Sequence, residues 1–313
     1  MALAPRASVS LWARDAAQAS AIRQAHRNER YLPEVALPET LAITEELDVA
    51  LSGAQLIVLG VPVAGLRPTV KALGLRGEAT PFIWLCKGFE VSTGLLPHQV
   101  VEQEFPAASK RCGVLSGPSF ALEVAQGLPA ALTLAASEPE FARSTASTLH
   151  GGRLRIYYSG DLVGVEIGGA VKNVLAIAVG ISDGMGLGQN ARAALVTRGL
   201  AELQRLGMAL GASAETVMGL TGAGDLILTA TGSLSRNRRV GLELAQGRSL
   251  EQILGSLGHV AEGVRSAREA LRLAERHRVD MPITRAVQAV LAGDVSPGAA
   301  LEMLLSRDPR SEG

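Results

Sequence analysis

Lys172 lies in a segment that is otherwise almost wholly apolar, Leu162-Val-Gly-Val-Glu-Ile-Gly-Gly-Ala-Val-Lys-Asn-Val-Leu-Ala-Ile-Ala-Val-Gly-Ile181. An ammonium in such a run is costly to bury without a partner. On a helix, residues three and four back share its face. Here they are Gly169 and Gly168, which weaken a helix and offer no side chain to packing. A lysine above a glycine-floored patch suggests that a ligand occupies the space. Desolvation lowers a lysine's pKa and makes it a proton donor or acceptor near neutral pH. The competing reading is a lysine with a buried stem and a head that reaches water.

Four loops add polar chemistry. Cys86-Lys87-Gly88 ends a strand-like run and places a cation at the carboxyl edge of a sheet, where open α/β folds bind ligands. Gly117-Pro-Ser-Phe-Ala121 follows the next strand and opens a helix, so its amides and the Ser119 hydroxyl could meet an anion. Gly222-Ala-Gly-Asp225 reads as a tight turn carrying a carboxylate. Ser235-Arg-Asn-Arg-Arg239 offers a hydroxyl, a guanidinium and an amide together, a set suited to a phosphate monoester. Taken alone it also fits a solvated helix start. Asp183-Gly-Met-Gly-Leu-Gly188 superficially matches a dinucleotide fingerprint but follows a helix, so it reads as a helix–helix connection. Gly60-Val-Pro-Val-Ala-Gly65 follows a strand but lacks a P-loop's lysine and hydroxyl; it reads as a strand-to-helix turn.

The elements that would hold these residues change character along the chain. Short β-rich runs at Val9–Trp12, Leu56–Val61, Phe82–Cys86, Gly113–Ser116, Ala130–Ala135 and Leu154–Tyr158 alternate with helical segments. That alternation predicts βαβ units and a mainly parallel sheet covered on both faces. From Leu162 onward the segments read as helices only. The division falls at residue 160: a nucleotide-binding α/β domain over 1–160 and a helical domain over 161–313. The 313 residues are 47% hydrophobic with zero formal net charge, so nothing points to nucleic acid or an anionic membrane surface. Cys86 and Cys112 lack metal or disulfide spacing and read as buried thiols of a reducing cytoplasm. The five histidines form no ligand pair. No signal-peptide pattern is present, and the polar residues within 162–182 favour a buried helix over a membrane span.

In order, Glu166-Ile-Gly-Gly-Ala-Val-Lys-Asn-Val174, Asn190-Ala-Arg-Ala-Ala-Leu-Val-Thr-Arg-Gly199, Leu220-Thr-Gly-Ala-Gly-Asp-Leu226, Ser235-Arg-Asn237 and Val260-Ala-Glu-Gly263 resemble the bacterial NAD(P)-dependent glycerol-3-phosphate dehydrogenases. Trp12-Ala-Arg-Asp15, Lys87-Gly88 and Gly117-Pro-Ser119 match the same family upstream, so the resemblance spans essentially the whole chain. It implies a Rossmann-like sheet followed by an all-helical substrate domain. It also implies reversible oxidation of sn-glycerol 3-phosphate to dihydroxyacetone phosphate, serving phospholipid synthesis in the cytoplasm. By that resemblance Lys172 is the catalytic proton acceptor. Lys87, Gly117, Ser119, Lys172, Asp225, Ser235, Arg236 and Asn237 match substrate-binding positions. Arg14, Lys87, Ala121, Arg236, Val260 and Glu262 match cofactor-binding positions.

The cofactor is NADPH or NADH. Arg14, just after a strand, suits a 2′-phosphate, while Asp15 leaves room for NADH. Two departures stand out. Gln189 replaces the family's aspartate, and the family's opening strand with its Gly-x-Gly-x-Trp-Gly loop is missing ahead of Met1. The expectation is therefore a sheet without its first strand. The alternative to an active enzyme is a truncated, non-enzymatic remnant that still binds a phosphorylated small molecule. No metal is expected, and a homodimer is left open.

Overall fold

A computed structural model describes residues 1–257 and 261–308. Its first half alternates strands and helices, as the sequence predicts. In order these are β1 (Ser10–Trp12), α1 (Ala16–Ala25), β2 (Arg27–Asn28), β3 (Leu32–Ala36), β4 (Ala42–Thr44), α2 (Leu47–Leu51), β5 (Ile57–Leu59) and α3 (Val63–Leu75). There follow β6 (Phe82–Trp84), α4 (Pro97–Glu104), β7 (Cys112–Ser116), α5 (Ala121–Ala125), β8 (Ala130–Ala135), α6 (Pro139–Leu149) and β9 (Leu154–Ser159). The second half is helical: α7 (Leu162–Gly184), α8 (Gly188–Ala209), α9 (Ala214–Met218), a π-helical turn (Leu220–Gly224), α10 (Asp225–Thr231), α11 (Arg236–Ala245), α12 (Leu250–Leu257), α13 (Glu262–Arg276), α14 (Pro282–Ala292) and α15 (Pro297–Leu305).

The main sheet has the order β5-β6-β7-β8-β9 and is parallel except between β7 and β8. A separate ladder joins β1 to β4 in parallel. Neither the free flank of β1 nor that of β5 has a ladder partner among the described residues. The strands of the first half are thus divided among three ladders, β1–β4, β2–β3 and β5–β9. Sequence reading missed the β2–β3 hairpin and β4, which span only two to five residues each.

Aliphatic and aromatic side chains cover the sheet. Leu66, Val70 and Leu73 of α3 pack with Phe82 and Trp84 of β6 and Val100 and Val101 of α4. Leu132 and Leu134 of β8 pack with Ala146 and Leu149 of α6 on a second cluster. Fully burying one such large side chain is worth about 1.5–3 kcal/mol.

α7 belongs to both halves. Val165 joins the sheet-side core, while Ile167 through Ile181 fill the helical one. The helix is long and apolar enough to cross a membrane, but it is a core element: 89% of its most apolar window is buried inside the protein. Asp161 starts it by accepting from the Gly164 amide at 2.7 Å. Near its end α7 meets α11 backbone to backbone. A Cβ on Gly180 would lie 2.1 Å from the Arg238 carbonyl oxygen, and one on Gly241 2.1 Å from that of Ile177. A half-open apolar cavity of about 1220 Å³ lies elsewhere in this domain, walled by Ile181, Leu195, Ile283, Val290, Leu301 and Leu304 among others.

Candidate active site

The first two turns of α7 face the carboxyl ends of β6 and β7. Gly169 is the contact point: a Cβ there would lie 3.2 Å from Lys87 Cγ and 3.3 Å from Ser116 Oγ. Its neighbour Gly168 serves another purpose. A Cβ on Gly168 would sit 2.6 Å from the Thr221 carbonyl oxygen, so that glycine lets the π-helical turn press against α7. The glycine floor expected to face a ligand is covered by protein instead, by the Lys87 stem and Ser116 at Gly169 and by the π-helical turn at Gly168.

Close packing of that turn delivers Asp225 to Lys172. Gly222-Ala-Gly-Asp225 is not the isolated tight turn expected; it is a π-helical turn running directly into α10, of which Asp225 is the first residue. Lys172 Nζ donates to Asp225 Oδ1 at 2.5 Å and to Thr229 Oγ1 at 2.8 Å. Thr229 in turn donates to the Asp225 carbonyl oxygen at 2.6 Å. Lys87 Nζ donates to Asp225 Oδ2 at 2.6 Å and to the Gly117 carbonyl oxygen at 3.0 Å. One buried carboxylate therefore holds two ammonium groups, and each keeps one N–H without a protein partner among the described residues. Burial, then the cation of Lys87, lowers the Lys172 ammonium to about 8 against the opposing pull of Asp225. Lys172 does not snorkel to water: it is 6% exposed.

A second polar string runs beside the first. Asn237 Nδ2 donates to Asn173 Oδ1 at 2.9 Å, and Asn237 Oδ1 accepts from the Gly263 amide at 3.0 Å. Asn173 follows Lys172 on α7, so this string ties α7, α11 and the start of α13 together. Ser235 is the N-cap of α11, accepting from the Arg238 amide at 3.2 Å, but it is buried, so the cap is not the solvated helix start expected. Arg236 at the first position of that helix is exposed. Glu262 opens α13. Burial pushes its carboxyl up against the opposing pull of Lys87, Arg236, Lys172 and Arg265, whose charges also place it beside this cluster.

The remaining candidates are placed as follows. Gly117 adopts φ +136°, a region open to glycine, and a Cβ there would meet the Ala131 carbonyl oxygen at 3.1 Å. Ser119 Oγ donates back to the Gly117 carbonyl oxygen at 3.1 Å, and Ala121 is the exposed first residue of the five-residue α5. Arg14 is exposed just past β1. Asp15 Oδ1 caps α1, accepting from the amides of Ala17 and Gln18 at 3.0 and 3.2 Å. Val260 lies outside the described residues. Gln189, the departure from the family pattern, accepts from Arg192 Nη1 at 2.9 Å. Among the described residues no cluster could hold a metal ion, and both cysteines are buried free thiols.

Sequence reading missed Thr229 and Ser116, and it singled out Asn173 without its partner Asn237. Thr229 stands four residues after Asp225, the helical spacing that a turn reading hides. Ser116 Oγ is buried beside Lys87 and Gly169 and has no hydrogen-bond partner among the described residues.

Family models for the N-terminus and C-terminus of NAD-dependent glycerol-3-phosphate dehydrogenase match residues 1–142 and 161–302. The chain belongs to this family. A glycerol-3-phosphate dehydrogenase (NAD(P)+) of Dechloromonas aromatica (strain RCB) is 56% identical over 312 residues, covering 100% of this chain and 94% of the relative. One from Methylibium petroleiphilum is 58% identical over 315 residues, covering 99% and 93%. The crystal structure of glycerol-3-phosphate dehydrogenase from Coxiella burnetii superposes with a TM-score of 0.91 at 39% identity, covering 98% of this chain and 95% of that one. The family is NAD(P)-dependent, and the polar cluster lies at the carboxyl edge of the sheet, where open α/β folds bind ligands.

Proposed function

We propose that this dehydrogenase interconverts sn-glycerol 3-phosphate and dihydroxyacetone phosphate, with Lys172 moving the proton. The supporting observation is the buried Lys172, held by Asp225 and Thr229 with one N–H free and its pKa lowered to about 8. A bound NAD(P)(H) supplies or accepts the hydride at the substrate's central carbon. In the reductive direction the free N–H of Lys172 donates its proton to the ketone oxygen. In the oxidative direction the neutral amine takes the hydroxyl proton. Asp225 neutralises the ammonium and fixes its position in both directions. Lys87, tethered to the same carboxylate, presents its spare N–H from the sheet side.

We assign the substrate phosphate to Arg236 and Asn237 at the start of α11. Their helix N-terminus adds a favourable dipole, and arginine can grip two phosphate oxygens at once. We assign Gly117, Ser119 and Ser235 to the same substrate site. We assign Lys87, Ala121 and Glu262 to the reacting end of the cofactor and Arg14, exposed past β1, to its other end. The N-cap occupies Asp15 Oδ1 and leaves Oδ2 outside the cap. Arg14 would meet the 2′-phosphate of NADPH, which favours that cofactor. Nothing among the relatives favours a non-enzymatic remnant.

We infer a domain division near residue 160, where strands give way to helices, and a cytoplasmic location. Light scattering tests whether the chain forms a homodimer. The activity is tested by following NADPH oxidation with dihydroxyacetone phosphate. Turnover with unphosphorylated dihydroxyacetone equal to that with its phosphate would overturn the substrate assignment.

A further inference from the structure

Glu166 is a buried carboxylate that the chemistry above does not use. It projects from the first turns of α7 into the N-terminal half and collects three donors there. Trp84 Nε1 of β6 donates to Oε1 at 2.9 Å, the His98 amide at the start of α4 donates to Oε1 at 3.0 Å, and His98 Nδ1 meets Oε2 at 2.5 Å. The side chain is 1% exposed, and Trp84 is fully buried. The carboxylate thus caps the N-terminus of a helix in the other half of the molecule, where a negative charge is favoured.

The position of these bonds gives them a consequence. β6 leads within three residues from Trp84 to Lys87, and α7 leads within six from Glu166 to Lys172. Glu166 ties the two elements at one end, and Asp225 bridges their two lysines at the other. Between them Gly169 allows Lys87 to lie against α7. We propose that Glu166 is a positioning residue: by clamping Trp84 and His98 to α7 it sets the separation of Lys87 from Lys172. This rests on Lys172 as the proton-transfer group.

The charged groups around the clamp are few. Glu166 faces His98 from α4 and the buried thiols Cys86 and Cys112, both pushed up first by burial and then by Glu166 itself. Glu102 stands behind His98. Lys172 faces Lys87, Asp225 and Glu262. Release of the clamp has a definite sign at Lys172. It moves the Lys87 cation away, leaves Asp225 more fully to Lys172, and admits water. All three raise the lysine's pKa. Simple loss of the Glu166 negative charge, with no movement, acts in the opposite direction and lowers it.

The test uses the chain's small lysine content: Lys71, Lys87, Lys110 and Lys172 are its four lysines. Lysine-selective 13Cε labelling therefore gives four signals, and Lys172→Arg identifies the one of interest. The ligand-free protein is titrated as wild type, Glu166→Leu and Trp84→Phe. Glu166→Leu keeps similar size and removes the oxygen that accepts from both Trp84 and His98; Trp84→Phe changes no charge. The expected result is a Lys172 midpoint near 8 in the wild type, rising by on the order of one pH unit in both variants. An unchanged or lowered midpoint in folded variants overturns the proposal. The basic limb of the wild-type kcat/KM profile is read separately. Its absence would count against Lys172 as the proton-transfer group, while the NMR midpoints would still report on the clamp.

Discussion

Lys87 and Lys172 bind opposite oxygens of the Asp225 carboxylate, at 2.6 and 2.5 Å, although one comes from the sheet and the other from the helical half. Both ammonium groups are oriented before any substrate arrives. Such pre-orientation lowers the reorganisation needed when charge develops on the reacting oxygen.

Lys172→Met keeps length and apolar character while removing the transferable proton. The expected outcome is a fall in kcat of roughly a hundredfold or more, the usual scale of general acid–base contributions, with folding retained. Steady-state turnover with circular dichroism checks it. Near-normal turnover would reduce Lys172 to a structural lysine.

The pH dependence should be opposite in the two directions. With Lys172 near 8, reduction needs the ammonium and should decline as pH rises through that value. Oxidation needs the amine and should increase over the same interval. Parallel profiles in both directions would exclude Lys172 as the titrating group. In Asp225→Asn the charge that raises the Lys172 pKa is gone, so both limbs should move to lower pH, with a loss of stability from two unpaired lysines.

Arg236→Ala should raise KM for dihydroxyacetone phosphate far more than for dihydroxyacetone, because only the phosphate makes charge-assisted bonds. Cofactor affinity is measured alongside, since Glu262 and Lys87 adjoin the same space. Equal losses for both substrates would remove Arg236 from the phosphate site.

Arg14 and Asp15 should separate cleanly. Arg14→Ala is expected to weaken NADPH without weakening NADH to the same degree. Asp15→Ala removes a helix cap and should cost about 1 kcal/mol of stability with little change in cofactor preference. A switch in preference on changing Asp15 alone would contradict its role as a cap.

His98 adds a stability prediction. Burial is the largest single influence and lowers its pKa, but the hydrogen bond to Glu166 and the charges of Glu166 and Glu102 together outweigh it, and the net shift is upward. A group whose folded pKa is raised stabilises the fold most below its unfolded pKa, and that contribution is lost as pH rises through the folded value. Thermal melts from pH 6 upward should therefore show a decline that is absent in His98→Gln, and a parallel decline in the variant would assign the loss to another group.

Much of this site was legible because charge in an apolar setting is conspicuous. Lys172 stands out in α7, and Lys87 stands out at a strand end. The division into an α/β half and a helical half was legible from hydrophobic pattern alone. What the sequence hid was mostly long-range or short. The Asn173–Asn237–Gly263 string joins residues far apart in the chain, and no local pattern announces it. The glycines before Asp225 predict a tight turn, whereas that stretch packs against Gly168 as a π-helical entry to α10. Ser235 shows the converse: a residue with a credible ligand role is spent, at least in part, on a local cap.

The meeting of α7 and α11 at Gly180 and Gly241 fixes more than a crossing. Both glycines sit where a single methyl group would collide with the other helix's backbone, so the two helices share one height with no side chain to act as a spacer. Lys172 lies upstream on one and Arg236 and Asn237 upstream on the other. Their spacing is therefore set by main chain rather than by adaptable rotamers. In the proposed reaction the fold acts as a ruler: one mark is the proton donor, the other is the phosphate anchor, and a substrate longer or shorter than three carbons brings the wrong atom to Lys172.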